Sequence, residues 1–323
     1  MRIRPRTTPA PAPAGSAART RHALAALAIA GGLAAAGLAA PSSASAASAA
    51  DTTADGSVVV GASVDQAAAA AHWTPAARAA ALAVDSSAAA SRSSILSTSA
   101  ETTATDSAPV PHPDQPFVGV LFYVSGGRNH ACTASVVDTP AGDEIATAAH
   151  CLVDRATGSA TTLATFIPGA QGATAPHGIW PVRVAAVSSS WTTTGRASDD
   201  AGFARVSGPA GEVLAAQVGA AEPVFGSTLV PAAGQAPSLA ILGYPAAGSA
   251  SAALEACEGR PQHDAGGQTS LPCELGKGAA GSPVLTFTGE QRSVVARPSA
   301  GRGVLLATWG AEAQRAFSSL QGR

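Results

Sequence analysis

The chain has 323 residues and a formal net charge of -2, and only 12% of its residues are Asp, Glu, Lys or Arg. No basic stripe and no Lys/Arg cluster interleaved with aromatics is present, which excludes an electrostatic nucleic-acid binder. No metal-ligand cluster, phosphate loop or cofactor fingerprint occurs either, so neither a metal nor a cofactor is expected.

Arg2, Arg4, Arg6, Arg19 and Arg21 precede an Ala/Leu run from Ala23 to Ala40, and Ala44-Ser45-Ala46 follows. Basic, apolar and small-residue regions in that order predict a secretory signal over residues 1–46, cut after Ala46, and hence an extracellular protein. The competing reading is a membrane anchor. Gly31, Gly32, Gly37 and the many alanines leave the run weakly apolar for a stable span, and no later stretch is apolar enough to cross. Export permits disulfides, and the four cysteines allow three pairings. Sequence proximity favours Cys132 with Cys151 and Cys257 with Cys273.

Residues 47–115 are rich in Ala, Ser and Thr, with few large apolar side chains to offset chain entropy. They read as a disordered, low-complexity leader, either a pro-segment or a linker. One island stands out, from His72-Trp73-Thr74-Pro75 to Leu82. Thr as N-cap followed by Pro at the first helical position predicts a short helix that docks on something else. Against it stands a solvated piece of linker.

After Pro109, Pro111, Pro113 and Pro116 the character becomes β-rich. Runs at Val118–Val124, Ala131–Asp138, Glu144–Ala149, Leu163–Ile167, Val182–Ser188, Gly202–Val206, Leu239–Tyr244, Pro283–Thr288, Val294–Ala296 and Gly303–Ala307 are short, β-branched and broken by turn residues. Many such strands predict an all-β sandwich or barrel pair. Only the tail, Ala311 to Leu320, reads as a helix, with Ala313, Phe317 and Leu320 on one face.

The run Ile145-Ala146-Thr147-Ala148-Ala149-His150-Cys151-Leu152 brings a histidine, followed at once by a cysteine, to the end of a buried strand. It resembles the histidine segment of trypsin-like serine proteases. Phe117 to Tyr123 is similar to the family's opening strand. Phe166, Pro168, Gly169, Pro176, Gly178 and Trp180 follow the pattern its members show after the histidine, and Gly243-Tyr244-Pro245 resembles the turn before the second cystine. Together they resemble the secreted, glutamyl-endopeptidase-like actinobacterial branch, from about Phe117 to the C-terminus. The Trp-Thr-Pro island is similar to an element in the removable pro-segments of such proteins. The resemblance implies two packed antiparallel β-barrels with a cleft between them, an N-barrel at about 116–206 and a C-barrel at about 207–310. It also implies a closing helix at 311–320.

The family's chemistry needs a hydroxyl nucleophile, an imidazole base, a carboxylate behind it and backbone donors for the oxyanion. The resemblance gives the imidazole to His150. It gives the carboxylate to Asp200, with Asp199 as the weaker alternative. The nucleophile loop matches Gly278-Ala279-Ala280-Gly281-Ser282-Pro283, and Ala280 stands where the family has serine. Backbone N–H groups of Gly278 and Ala280 would still form the oxyanion nest. Ser282 is two residues off, about 7 Å along an extended chain, and reads as structural. Ser135 and Ser270 have no motif around them. Ala279 replaces the aspartate that pairs with a freed N-terminus in the trypsin branch, so that activation switch is not expected. His263 and Glu274 are near enough in sequence to line a specificity pocket, but no motif assigns them.

The function these readings favour is a secreted, monomeric protease homologue, proteolytically inactive, that binds a peptide or protein in the old cleft. The alternatives are an active secreted serine endopeptidase and a structural surface protein carrying an Ala/Ser-rich stalk.

Overall fold

The computed structural model describes residues 50–52, 57–61, 66–83, 108–113, 115–208, 211–230, 238–245, 253–264, 266–276, 278–299 and 303–321. The expected signal, residues 1–46, lies outside the described residues. Strands β1 (Ala50–Thr52) and β2 (Ser57–Gly61) come first, then helices α1 (Gln66–His72) and α2 (75–83) and the short strand β3 (Val110–Pro111). Next are β4 (Val118–Ser125), β5 (Arg128–Val136), β6 (Glu144–Thr147) and a helical turn, α3 (Ala149–Leu152). The first half closes with β7 (Val153–Asp154), β8 (Ser159–Ala160), β9 (Thr162–Pro168), β10 (Trp180–Ser188), α4 (Ser189–Thr194) and β11 (Gly202–Val206).

Six strands form a closed antiparallel barrel in the order β4-β5-β6-β11-β10-β9, with β9 returning to β4. Alternation along the strands sorts the side chains. Leu121 and Tyr123 of β4 and Cys132, Ala134 and Val136 of β5 fill the interior with Ile145, Phe166 and Trp180. Val118, Val120 and Phe122, on the other face of β4, are buried in a separate outer cluster. Both faces are therefore apolar, which is why β4 reads as an unbroken hydrophobic run. The β4–β5 hairpin turns at Gly126-Gly127, with φ of 55° and 72°. A two-residue loop with φ positive at both positions matches the strand twist, and glycine adopts it without a Cβ clash.

The second half holds α5 (Leu214–Val218), β12 (Glu222–Pro223), β13 (Leu239–Gly243), β14 (Glu255–Gly259), β15 (Gln262–His263) and β16 (Thr269–Leu271). It ends with β17 (Pro283–Leu285), β18 (Glu290–Pro298), β19 (Val304–Leu306) and helix α6 (Ala311–Ser318). Its sheet curls into a half-barrel in the order β15-β16-β19-β18-β17-β13-β14-β3. Leu239, Ile241, Leu271, Val284, Val295 and Leu306 fill the inside. Helix α6 packs back against β2, β10 and β11 of the first barrel. It buries Ala313 and Ala316, with Leu320 just past its end, beside Val59, Ala186 and Phe203. The rings of Phe203, Phe225, Trp309 and Phe317 meet there at centroid distances of 5.2 to 5.9 Å, so the last helix ties the two halves together.

The double barrel with a closing helix is thus the architecture the sequence predicts. The leader contributes more to it than composition implies. Strand β2 lies along β10 in antiparallel register, from Gly61 opposite Val184 to Ser57 opposite Ser188. The Trp-Thr-Pro island forms a docked helix, with the Ala77 N–H donating to Thr74 Oγ1 at 3.2 Å. Trp73 is fully buried against Phe122, Ile167 and Tyr244. Among the described residues, no helix is long and apolar enough to cross a membrane.

Candidate active site

The strand that carries the histidine stops sooner than the sequence suggests. β6 ends at Thr147, Ala148 is extended with φ of -76° and ψ of 143°, and His150 sits in the turn of α3. Asp200 follows a 3-10 turn at Ala197–Asp199 and is only 6% exposed. Its Oδ2 lies 2.8 Å from His150 Nδ1, and its Oδ1 accepts the His150 backbone N–H at 3.0 Å. The Asp200 carbonyl also accepts the Ala149 N–H at 3.2 Å. One carboxylate therefore holds both the ring and the backbone of the same residue. An ionised carboxylate accepts only, so Nδ1 must carry the proton and Nε2 becomes the basic nitrogen. Asp199 points elsewhere, accepting from Thr194 Oγ1 at 3.0 Å and Ser198 Oγ at 3.1 Å. Asp200, not Asp199, is the aspartate that meets the imidazole.

Thr133 and Gly281 anchor the loop that carries Ala280. The Thr133 N–H donates to the Ala280 carbonyl at 2.8 Å, and Thr133 Oγ1 donates to the Gly278 carbonyl at 2.9 Å. That hydroxyl also accepts the Tyr244 N–H at 3.0 Å. Gly281 has φ of +83°, and a Cβ there would overlap the Thr133 carbonyl oxygen and the Thr147 hydroxyl. Only glycine can turn the chain at this point. The N–H groups of Gly278 and Ala280 have no hydrogen-bond acceptor among the described residues. They are the two donors the resemblance assigns to an oxyanion nest.

Ala280 itself is 8% exposed and packs in the cluster that contains Cys132, Ala148, Ala149 and Cys151. A Cβ on the next residue, Gly281, would come within 3.1 Å of the Ala148 N, so the loop that carries Ala280 runs beside the start of the turn that presents His150. The Cys132–Cys151 disulfide fixes β5 to that turn, and Cys257–Cys273 closes the second half. Cys132, His150 and Cys151 have ligand atoms within 4.8 Å of one another. Both sulfurs are spent in the disulfide and offer no thiolate, so this trio is a cystine seated against an imidazole rather than a metal site.

No family model matches the sequence, and no curated protein matches it. Solved structures do. The chain is similar to the protease Anisep from Arthrobacter nicotinovorans, with a TM-score of 0.60 and 24% identity over 66% of this chain and 99% of the other. The fold is that of the trypsin-like serine proteases. A Glu endopeptidase shares this trypsin-like fold at a TM-score of 0.56 and 16% identity, covering 69% of this chain and all of that one. So does an inactivated protease paralogue of the scabies mite, at a TM-score of 0.50 and 14% identity, covering 65% and 96%.

Within the trypsin-like fold, Ser282, Ser135 and Ser270 occupy the following places. Ser282 is fully buried, and its Oγ has no hydrogen-bond partner among the described residues and lies against Gly243, where a Cβ would overlap it. Ser135 is buried and donates to Gln291 Oε1 at 2.9 Å. Ser270 is 7% exposed, in β16. His263 and Glu274 are exposed, with His263 paired across its hairpin to Thr269. Thr133 is the residue that sequence reasoning missed. Its only signal was its place immediately after Cys132, and its role depends on partners 111 and 145 residues away.

Proposed function

We propose that this protein is a protease-derived binding protein that holds a peptide or protein segment in the inter-barrel cleft and does not cleave it through a serine. The observation that carries this reading is Ala280, a methyl group on the loop that runs beside the start of the turn that presents His150. The His150–Asp200 pair and the two unoccupied N–H donors remain around it. Those donors suit the carbonyl oxygen of a bound peptide, and the imidazole suits a second polar group of the ligand. No acyl-enzyme can form on a methyl group. Losing the nucleophile from such a triad costs roughly six powers of ten in turnover. That an inactivated paralogue has the same fold is consistent with this outcome.

The deciding experiment treats the secreted protein with a fluorophosphonate probe. No labelling is expected, and a covalent adduct anywhere in the cleft would refute the reading. The retained His150–Asp200 pair favours one second reading, a serine endopeptidase apparatus that still works once its oxygen is restored. Ala280→Ser followed by a peptide-hydrolysis assay separates the two. Turnover in the variant means that the pair, the nest and the cleft are still competent. No turnover means that the substrate-binding parts have diverged as well. Export through residues 1–46 and a monomeric state belong to the same proposal, and two disulfides fit an oxidising compartment.

A further inference from the structure

We propose that residues 57–83 are a permanent part of the folded protein, held noncovalently by the barrels, so that this segment stays bound when the chain is cut downstream of it. The sequence alone casts it as part of a low-complexity leader, either a pro-segment or a linker. Three independent contacts hold it in place. First, β2 completes the edge of β10 over five residue pairs, with Ser57 to Val60 buried. Without it, β10 would present an unpaired edge from Val184 to Ser188.

Second, Trp73 fills the outer cluster where both halves of the protein meet. It packs with Val118, Val120 and Phe122 from the first barrel and Tyr244 and Leu254 from the second. Its Nε1 donates to the Leu163 carbonyl at 2.6 Å, which satisfies its one polar atom. Leu82 is buried in the same cluster. Third, Arg78 is 5% exposed, with Nε donating to the Ala173 carbonyl at 2.9 Å and Nη1 to the Trp73 carbonyl at 2.5 Å. Its Nη2 also donates to the Ala173 carbonyl. The guanidinium joins the segment's own Trp73 carbonyl to the Ala173 carbonyl of the barrel, so departure would break both bonds to Ala173 and leave that carbonyl without its charged donor.

The segment also contacts the strand that carries Thr133. His72 Nε2 is 3.0 Å from Asn129 Oδ1 on β5. Asn129, Ala131 and Thr133 alternate along one face of that strand, and Thr133 holds the Ala280 loop. Tyr244, packed under Trp73, donates its N–H to the same threonine. The segment is therefore linked to Thr133 indirectly, through Asn129 on the same strand and through Tyr244. All four cysteines lie beyond residue 131, so nothing covalent could retain the fragment.

The test inserts a recognition sequence for a site-specific protease between Ser94 and Ile95 of the full chain, cuts the folded protein and runs it on native gel filtration with intact-mass detection. The N-terminal fragment should co-elute with the barrels and separate only in denaturant. Separate elution while circular dichroism still reports folded barrels overturns the proposal. In the cut protein, Trp73→Ala should reduce the retained fraction at least tenfold, and the milder Arg78→Gln should reduce it several-fold. Retention unchanged in the Arg78→Gln protein would overturn this role of Arg78 even if the Trp73 variant fails to fold. The readout does not involve the cleft, so it stands or falls separately from the proposed binding function.

Discussion

Replacing Glu144 with glutamine tests how this fold treats a buried acid. Glu144 lies in β6 with no exposed surface, opposite Arg205 of β11. Gln321 Nε2 donates to its Oε2 at 2.7 Å, while its Oε1 is buried with no hydrogen-bond partner among the described residues. Burial, reinforced by the neighbouring Asp143 charge, pushes its carboxyl from 4.5 up to about 7, against the opposing pull of Arg205 and the Gln321 bond. The folded state therefore keeps a proton that the unfolded chain releases. The resulting stability is fully present below pH 4.5 and is lost as pH rises through about 7. At about 1.36 kcal/mol per pH unit across that interval, the loss comes to about 3 kcal/mol. The amide in Glu144→Gln keeps the shape and the acceptor for Gln321 but cannot ionise. Urea unfolding at pH 4.5, 6 and 8 should show the two proteins about equal at the lowest pH. The variant should be more stable by about 3 kcal/mol at pH 8, with unchanged slopes against denaturant. A difference that stays constant across the three pH values would refute the reasoning.

Gly281→Ala forces a side chain into a left-handed backbone position and against the Thr133 carbonyl. It should destabilise by roughly 3 kcal/mol or more, read by chemical denaturation. Removing the Cys132–Cys151 disulfide with a double alanine variant frees a link spanning 19 residues and should cost about 3 kcal/mol by the same method. If Ala280→Ser restores hydrolysis, adding Asp200→Asn should lower kcat by about four powers of ten with a much smaller change in KM, since the wrong tautomer of His150 would then be held. An equal loss in kcat and KM would count against that role. Thr133→Val leaves the Gly278 carbonyl and the Tyr244 N–H without their hydroxyl partner, and should cost about 2 kcal/mol in thermal or urea unfolding.

Several parts of the protein were legible because their signals are local. His150 beside Cys151, the glycine-framed loop with Ala280 and the Thr74-Pro75 helix start each depend on a handful of consecutive residues. The short helices α3, α4 and α5, at four to six residues, were not legible, because they span fewer than two turns and show no repeating apolar face. Strand β2 was missed for a different reason. Val58-Val59-Val60 is a brief apolar run inside an Ala/Ser/Thr-rich stretch, and what makes it a strand is the edge of β10, about 125 residues later.

The sequence by itself determined the all-β fold class and the absence of a side-chain hydroxyl at position 280. Residue identity and short-range spacing carry those features without reference to distant partners. The tertiary structure brought Asp200, the aspartate the sequence favours, onto His150, and it alone decided that Thr133 holds the Ala280 loop and that Trp73 and β2 belong to the folded body. Each of these rests on contacts between segments from 50 to more than 140 residues apart. They exist only once the barrels have closed and buried the surfaces that make them.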